Sequence, residues 1–132
     1  MNFKYKIAPH DYLTLVIVVI LLFFWIEGVK SKNEIENNGK NIIVKFIRKD
    51  DLPKTTTFYF AYYYNNVKCQ VTNSGIHHSI LNSDKKEKMI NNLKLESYYT
   101  AKFLPKYPKK IIVNPAKEIM DKKVIEKAGF KN

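Results

Sequence analysis

A chain of 132 residues that also carries an apolar run leaves room for one domain of modest core, which excludes a multidomain enzyme. The formal net charge is +11, and from Lys40 onward 19 Lys or Arg face 8 Asp or Glu, so the whole excess lies in that part of the chain. Cys69 is the one cysteine, which excludes an intrachain disulfide and a cysteine-based zinc site.

Of the 23 basic residues only Arg48 is arginine. The planar, bidentate guanidinium is the favoured reader of base edges and of single phosphates, whereas ammonium groups suit a diffuse anionic surface. A cationic face of this kind suits anionic lipid headgroups, a cell-wall polyanion or nucleic acid, and lysine without arginine argues against specific nucleic-acid reading. A codon bias toward Lys, Asn and Ile is the competing explanation of the same residues.

Residues 1–10 form a short basic tail with Lys4 and Lys6. From Tyr12 to Ile26 the chain reads YLTLVIVVILLFFWI, fifteen residues without a charge, a Gly or a Pro. At about 1.5 Å per residue this covers roughly 22 Å of a hydrocarbon core about 30 Å thick. Flanking residues supply the missing turns, so 11–29 reads as a transmembrane helix, with Tyr12 and Trp25 at interface depth and Lys30 and Lys32 able to snorkel. A cleaved signal peptide is the rival, but FWIEGVKSKNE places bulky residues where a small-x-small site is wanted. Lys4 and Lys6 face Lys30, Lys32 and Lys40 across the span, a near balance; the short tail is expected in the cytoplasm and the domain on the extracytoplasmic side of the cell membrane.

Residues 30–40 are polar and end at Gly39, and read as a linker to a domain over 41–132. IIVKFIR (42–48) and TTTFYFAYYY (55–64) have the β-branched and aromatic composition of strands, with a turn at Asp51, Leu52 and Pro53. Asn65 and Asn66 then predict a two-residue type I′ hairpin, since Asn tolerates positive φ. Its register pairs Tyr64 with Val67, Tyr62 with Cys69 and Phe60 with Val71 on a core face, and turns Tyr59, Ala61 and Tyr63 to water. NSGIHHSILNS (73–83) reads as loop, followed by a short helix capped by Ser83 and carrying Met89, Ile90 and Leu93. Tyr99, Ala101 and Phe103 alternate on one face of a further strand, and 110–113 makes the last. Asn114 and Pro115 read as N-cap and N1 of a helix over 115–128 that stops at Gly129. The fold class is α+β, mainly β: a transmembrane helix, then a small five-stranded antiparallel sheet or barrel of SH3-like or OB-like size with a C-terminal helix.

The segment YYTAKFLPKYPKKIIVNP (98–115), with its run Phe103, Leu104, Pro105, Lys106, Tyr107, Pro108 before Ile111–Val113, resembles the closing strands of small bacterial membrane-anchored proteins without an assigned activity. FAYYYNNVKC (60–69) is similar to their tyrosine-rich hairpin. The resemblance implies membrane attachment and a small β-barrel-like domain, and no activity. Leu104 stands where many members carry Asp or Ser.

No catalytic, cofactor-binding or metal-binding residue is predicted. His77 and His78 are neighbours that point to opposite faces of an extended segment, and no nucleophile elbow, P-loop or acid pair is present. Asp50 and Asp51 fit a turn. Tyr59, Tyr63, Tyr98 and Tyr99 among lysines suit either a basic aromatic surface or ordinary cross-strand packing, the commoner case. The expected contacts with an anionic surface are Lys85, Lys86, Lys88, Lys102, Lys106, Lys109 and Lys110. The expected partners are the lipid bilayer and an unidentified protein.

Overall fold

The computed structural model describes residues 8–51, 53, 56–72 and 91–131, in two compact units, Met1–Asn33 and Glu34–Asn132. The described part of the first unit is helical from Pro9. Helix α1 runs Pro9–Asn38, and Pro9 opens it where a missing N–H matters least. Asp11 reaches back to accept from the Ala8 N–H at 3.0 Å, satisfying one donor of the first turn. Its apolar stretch is exposed throughout, from Tyr12 to Ile26. This helix is long and apolar enough to cross a membrane.

Over the expected linker, 30–40, the chain stays helical through Asn38. Once a helix is nucleated, each further residue adds one backbone bond, so a polar segment continues it until a breaker intervenes. Gly39 is that breaker. Its N–H donates to the Ile35 carbonyl at 2.9 Å, and a methyl group at Gly39 would sit well inside contact distance of that same oxygen. The last turn, from Glu34, belongs to the second unit, where Ile35 is buried.

Five antiparallel strands follow: β1 (Lys40–Asp51), β2 (Thr56–Tyr64), β3 (Val67–Thr72), β4 (Tyr98–Phe103) and β5 (Ile111–Ile119). They lie in the order β3-β2-β1-β4-β5, an open sheet whose edges are β3 and β5; a ladder closing it into a barrel is not seen among the described residues. The hairpin has the predicted register, Tyr64 opposite Val67, Tyr62 opposite Cys69 and Phe60 opposite Val71. Asn65 and Asn66 adopt φ of 49° and 63°, the conformation a type I′ turn requires.

One face carries the core: Val44 and Phe46 of β1, Phe58, Phe60 and Tyr62 of β2, Val71 of β3, Tyr99, Ala101 and Phe103 of β4, Ile111 and Val113 of β5. Cys69 is half-buried against this cluster. The Tyr62 and Phe103 rings lie 5.2 Å apart although β1 separates their strands, so the face is concave. The Tyr62 phenol also donates to the Pro108 carbonyl at 2.6 Å, beyond β4.

The opposite face is covered too, which corrects the expectation that Tyr59, Ala61 and Tyr63 look into water. Ala61 is 1% exposed, and Tyr59 and Tyr63 are half-buried. Phe130 packs edge-on against Tyr63 and Tyr98, and Ile125, five residues before it, is buried as well. Ile125 lies on helix α2 (Lys122–Lys127), which is shorter than the 115–128 expected. Pro115 sits instead in the edge strand β5, where Thr100 pairs with Asn114 but Tyr99 with Glu118, so Pro115, Ala116 and Lys117 bulge out. An edge bulge is where a strand accepts a residue that cannot donate to the ladder. Asn114 does cap locally, accepting from the Ala116 N–H at 3.1 Å, but the turn it closes belongs to the bulge. The helix N-cap is Asp121, whose carboxylate accepts from the Lys123 N–H at 2.9 Å. Gly129, at φ +100°, ends the helix as predicted; the Gly129 and Phe130 N–H groups return to the Glu126 and Ile125 carbonyls.

Candidate anionic surface

The turn between β4 and β5 is built by its prolines. Tyr107 N–H donates to the Leu104 carbonyl at 2.8 Å and Lys110 N–H to the Tyr107 carbonyl at 3.0 Å, two successive β-turns with Pro105 and Pro108 at their second positions. Proline pre-sets the φ that this position needs, so LPKYPKK folds into a double turn from local preference alone. The lysines follow each proline.

Four of the seven expected contacts meet here. The Lys102 ammonium donates to the Glu36 carbonyl at 2.5 Å, one of the last-turn carbonyls of α1 that have no partner within the helix. Lys106 pairs with Glu34 at 2.9 Å, and the Tyr107 hydroxyl donates to the same carboxylate oxygen at 3.0 Å. Hydrogen bonding to Glu34, then to Tyr107, raises the Lys106 pKa above the ordinary lysine value. Lys106 and Lys110 flank the Tyr107 ring, their ammonium groups 5.2 and 5.8 Å from its centre. Lys109 and Lys110 are exposed. Lys85, Lys86 and Lys88, like His77, His78 and the helix expected after Ser83, lie outside the described residues, except that Leu93 packs partly against the core.

The sequence reading missed Glu34 and Tyr107, the two groups that organise the cluster. Glu34 falls in the expected linker, 30–40, and stands instead in the last turn of α1, bonded to the double turn.

Tyr62 holds the turn from beneath. Burial, and after it the neighbouring Cys69 thiol, pushes its pKa up to about 12. The neutral phenol contributes stability that is intact below about pH 10, the unfolded value, and lost as pH rises through about 12. An ultraviolet titration is therefore expected to show one tyrosine ionising about two units late, and Tyr62→Phe to remove that phase; a variant with an unchanged titration would contradict the assignment.

Elsewhere, a groove of about 440 Å³ runs between the hairpin tip and α2, lined by Tyr63, Asn65, Asn66, Val124 and Lys127 among others. Another of about 300 Å³ lies by Glu96, Ser97, Tyr98 and Glu118. In the second, Ser97 donates to Glu118 at 2.6 Å and Lys94 pairs with it at 3.1 Å, and these two partners hold the Glu118 pKa below the usual carboxylate value. Among the described residues no three His, Cys, Asp or Glu side chains gather as a metal site would require. Comparison of the chain with family models, with curated proteins and with solved structures finds no match.

Proposed function

We propose that the chain is a single-pass protein of the cell membrane whose basic β domain acts on the extracytoplasmic side as an interaction module, by binding and without catalysis. The observation that carries this reading is the uninterrupted exposure of the apolar stretch of α1. Each side chain from Leu13 to Ile26 left in water forgoes the transfer free energy of an apolar group, about 1.5–3 kcal/mol for one of Val, Leu, Ile or Phe size. A bilayer removes that penalty while the helix satisfies its own backbone groups. A binding role is supported by a core made of packing residues and by the setting of the described histidine, His10, which pairs with Asp11 at 3.1 Å in the first turn of α1, away from the domain in sequence. The excess of lysine after Lys40 favours a second, narrower reading in which the ligand is an anionic polymer of the cell wall.

The full chain is expected to stay in the membrane pellet through alkaline carbonate and high-salt washes and to leave it only with detergent. Recovery in either wash supernatant would overturn the anchor, and protease protection of the domain in sealed cells would overturn the assigned side.

A further inference from the structure

We propose that the β3 edge is a self-association surface, where β3 pairs antiparallel with β3 of a second copy of this chain and joins two five-stranded sheets into one. The pairing rests on the anchor reading above, since so short an edge does not hold dilute chains together.

The two edges of the sheet are built differently. An edge strand offers a row of unpaired N–H and C=O groups, and folds blunt it with prolines, bulges or charge. β5 carries Pro115 inside a bulge, with Lys117 and Glu118 next to it. β3 has no proline, no glycine and no bulge, since its register advances one residue for one from Tyr64 opposite Val67 to Tyr59 opposite Thr72. The same register says which backbone groups face outward. In a two-residue type I′ hairpin the residues flanking the turn, Tyr64 and Val67, form a hydrogen-bonded pair, and bonded and non-bonded pairs alternate from there. Lys68, Gln70 and Thr72 therefore turn their N–H and C=O groups away from β2. All three are exposed, and among the described residues no strand pairs with them from the outer side.

Two-fold pairing of one edge with itself admits few registers. Outward-facing residues must meet outward-facing residues, and a register centred on Lys68 would set ammonium against ammonium, which destabilises directly opposed residues. Centring on Cys69 sets Lys68 opposite Gln70 of the second copy and Val67 opposite Val71 of the second copy, so no like charges meet. Val67, 61% exposed beside the hairpin turn, gains an aliphatic neighbour in that register. Each strand contributes the residues from Val67 to Val71, and edges this short bury less than the roughly 1,200 Å² at which standard stable interfaces begin. Two chains anchored in one bilayer need less, because the shared layer raises their effective concentration whichever way the domains turn.

The test is oxidative cross-linking of the full chain in phosphatidylcholine liposomes at low protein density, with copper phenanthroline as oxidant and non-reducing gels as readout. Across the new ladder Cys69 faces its own copy in a non-hydrogen-bonded pair, about 4.5 Å between Cα atoms, which a disulfide spans. Cys69 is expected to cross-link at least about tenfold faster than a cysteine introduced as Met120→Cys in a Cys69→Ser chain, which at 74% exposure reports collision alone. In the Cys69→Ser background, a mixture of Lys68→Cys and Gln70→Cys chains should cross-link faster than either alone, because positions 68 and 70 oppose each other and not themselves. Gln70→Pro removes an outward N–H and leaves the β2 ladder its bonds, so it should bring Cys69 down to the collision rate while the near-ultraviolet circular dichroism of the domain is kept. If that variant unfolds, the mixed-cysteine comparison still decides. Cys69 cross-linking no faster than position 120, a mixture no faster than its components, or a folded Gln70→Pro chain that cross-links like the parent each overturns the proposal. A chain that does not float with the liposomes instead fails the anchor reading itself.

Discussion

Replacing Phe60 by Ala is expected to destabilise the domain by about 3–5 kcal/mol, the range for removing a fully buried ring. Phe60 is 0% exposed and lies in β2, with β1 on one side and β3 on the other. Its ring centre is 5.2 Å from that of Phe46, directly across the β1 ladder, and its partner in β3 is Val71. Both neighbours are themselves anchored in a sheet, so neither can collapse far into the space left, and the cavity term adds to the lost transfer energy. Lys68→Ala, on an exposed position of the adjacent strand, should change stability by no more than about 0.5 kcal/mol. Chemical denaturation of the full chain in detergent, followed by tyrosine near-ultraviolet circular dichroism, measures both. Comparable losses from the two variants would show that the two faces of the hairpin are not distinguished as described.

That hairpin was legible because its information is local. Asn65 and Asn66 specify a turn whose handedness fixes the pairing, and alternation then decides which residues share a face. Tyr99, Ala101 and Phe103 could be read for the same reason, and all three are buried. Alternation does not say whether the second face meets water. Tyr59 and Tyr63 read as solvated beside Lys68 and Thr72, yet Phe130 returns from beyond α2 to close over Tyr63. Asn114 and Pro115 show a second limit. The same pair caps a helix or shapes a bulge, and the choice depends on β4 offering a ladder next to it, which is a tertiary fact. The lysines of the candidate surface were visible as charges from the start. The bonding of Lys102 and Lys106 to the last turn of α1 was not, because it depends on a helix that continues through a stretch of polar residues with no periodic apolar signal.

Phe130→Ala is expected to lower stability by about 3 kcal/mol or more, although the residue stands in a stretch, GFKN, that sequence periodicity leaves uninformative. The ring is 7% exposed and meets two tyrosines edge-on, Tyr63 at 5.1 Å and 87° and Tyr98 at 5.0 Å and 71°. Such edge-to-face pairs contribute about 0.5–1.5 kcal/mol each beyond the area they bury. Tyr63 belongs to β2 and Tyr98 to β4, so one ring bridges two strands that β1 keeps apart. Its position is set by the helix stop: Gly129 takes a φ of +100°, and the Phe130 N–H returns to the Ile125 carbonyl at 3.4 Å. Gly129→Ala should therefore share the phenotype in weaker form, since a methyl there would stand 3.0 Å from the Tyr63 Cβ and Cγ atoms on a backbone that disfavours any side chain. Met120→Ala is the control, at a position 74% exposed where truncation removes little contact. Thermal unfolding of the three variants beside the parent chain decides the matter. If Phe130→Ala melts with the parent, the second face of the sheet is held by Ile125 and the strands alone, and the ring is a passenger.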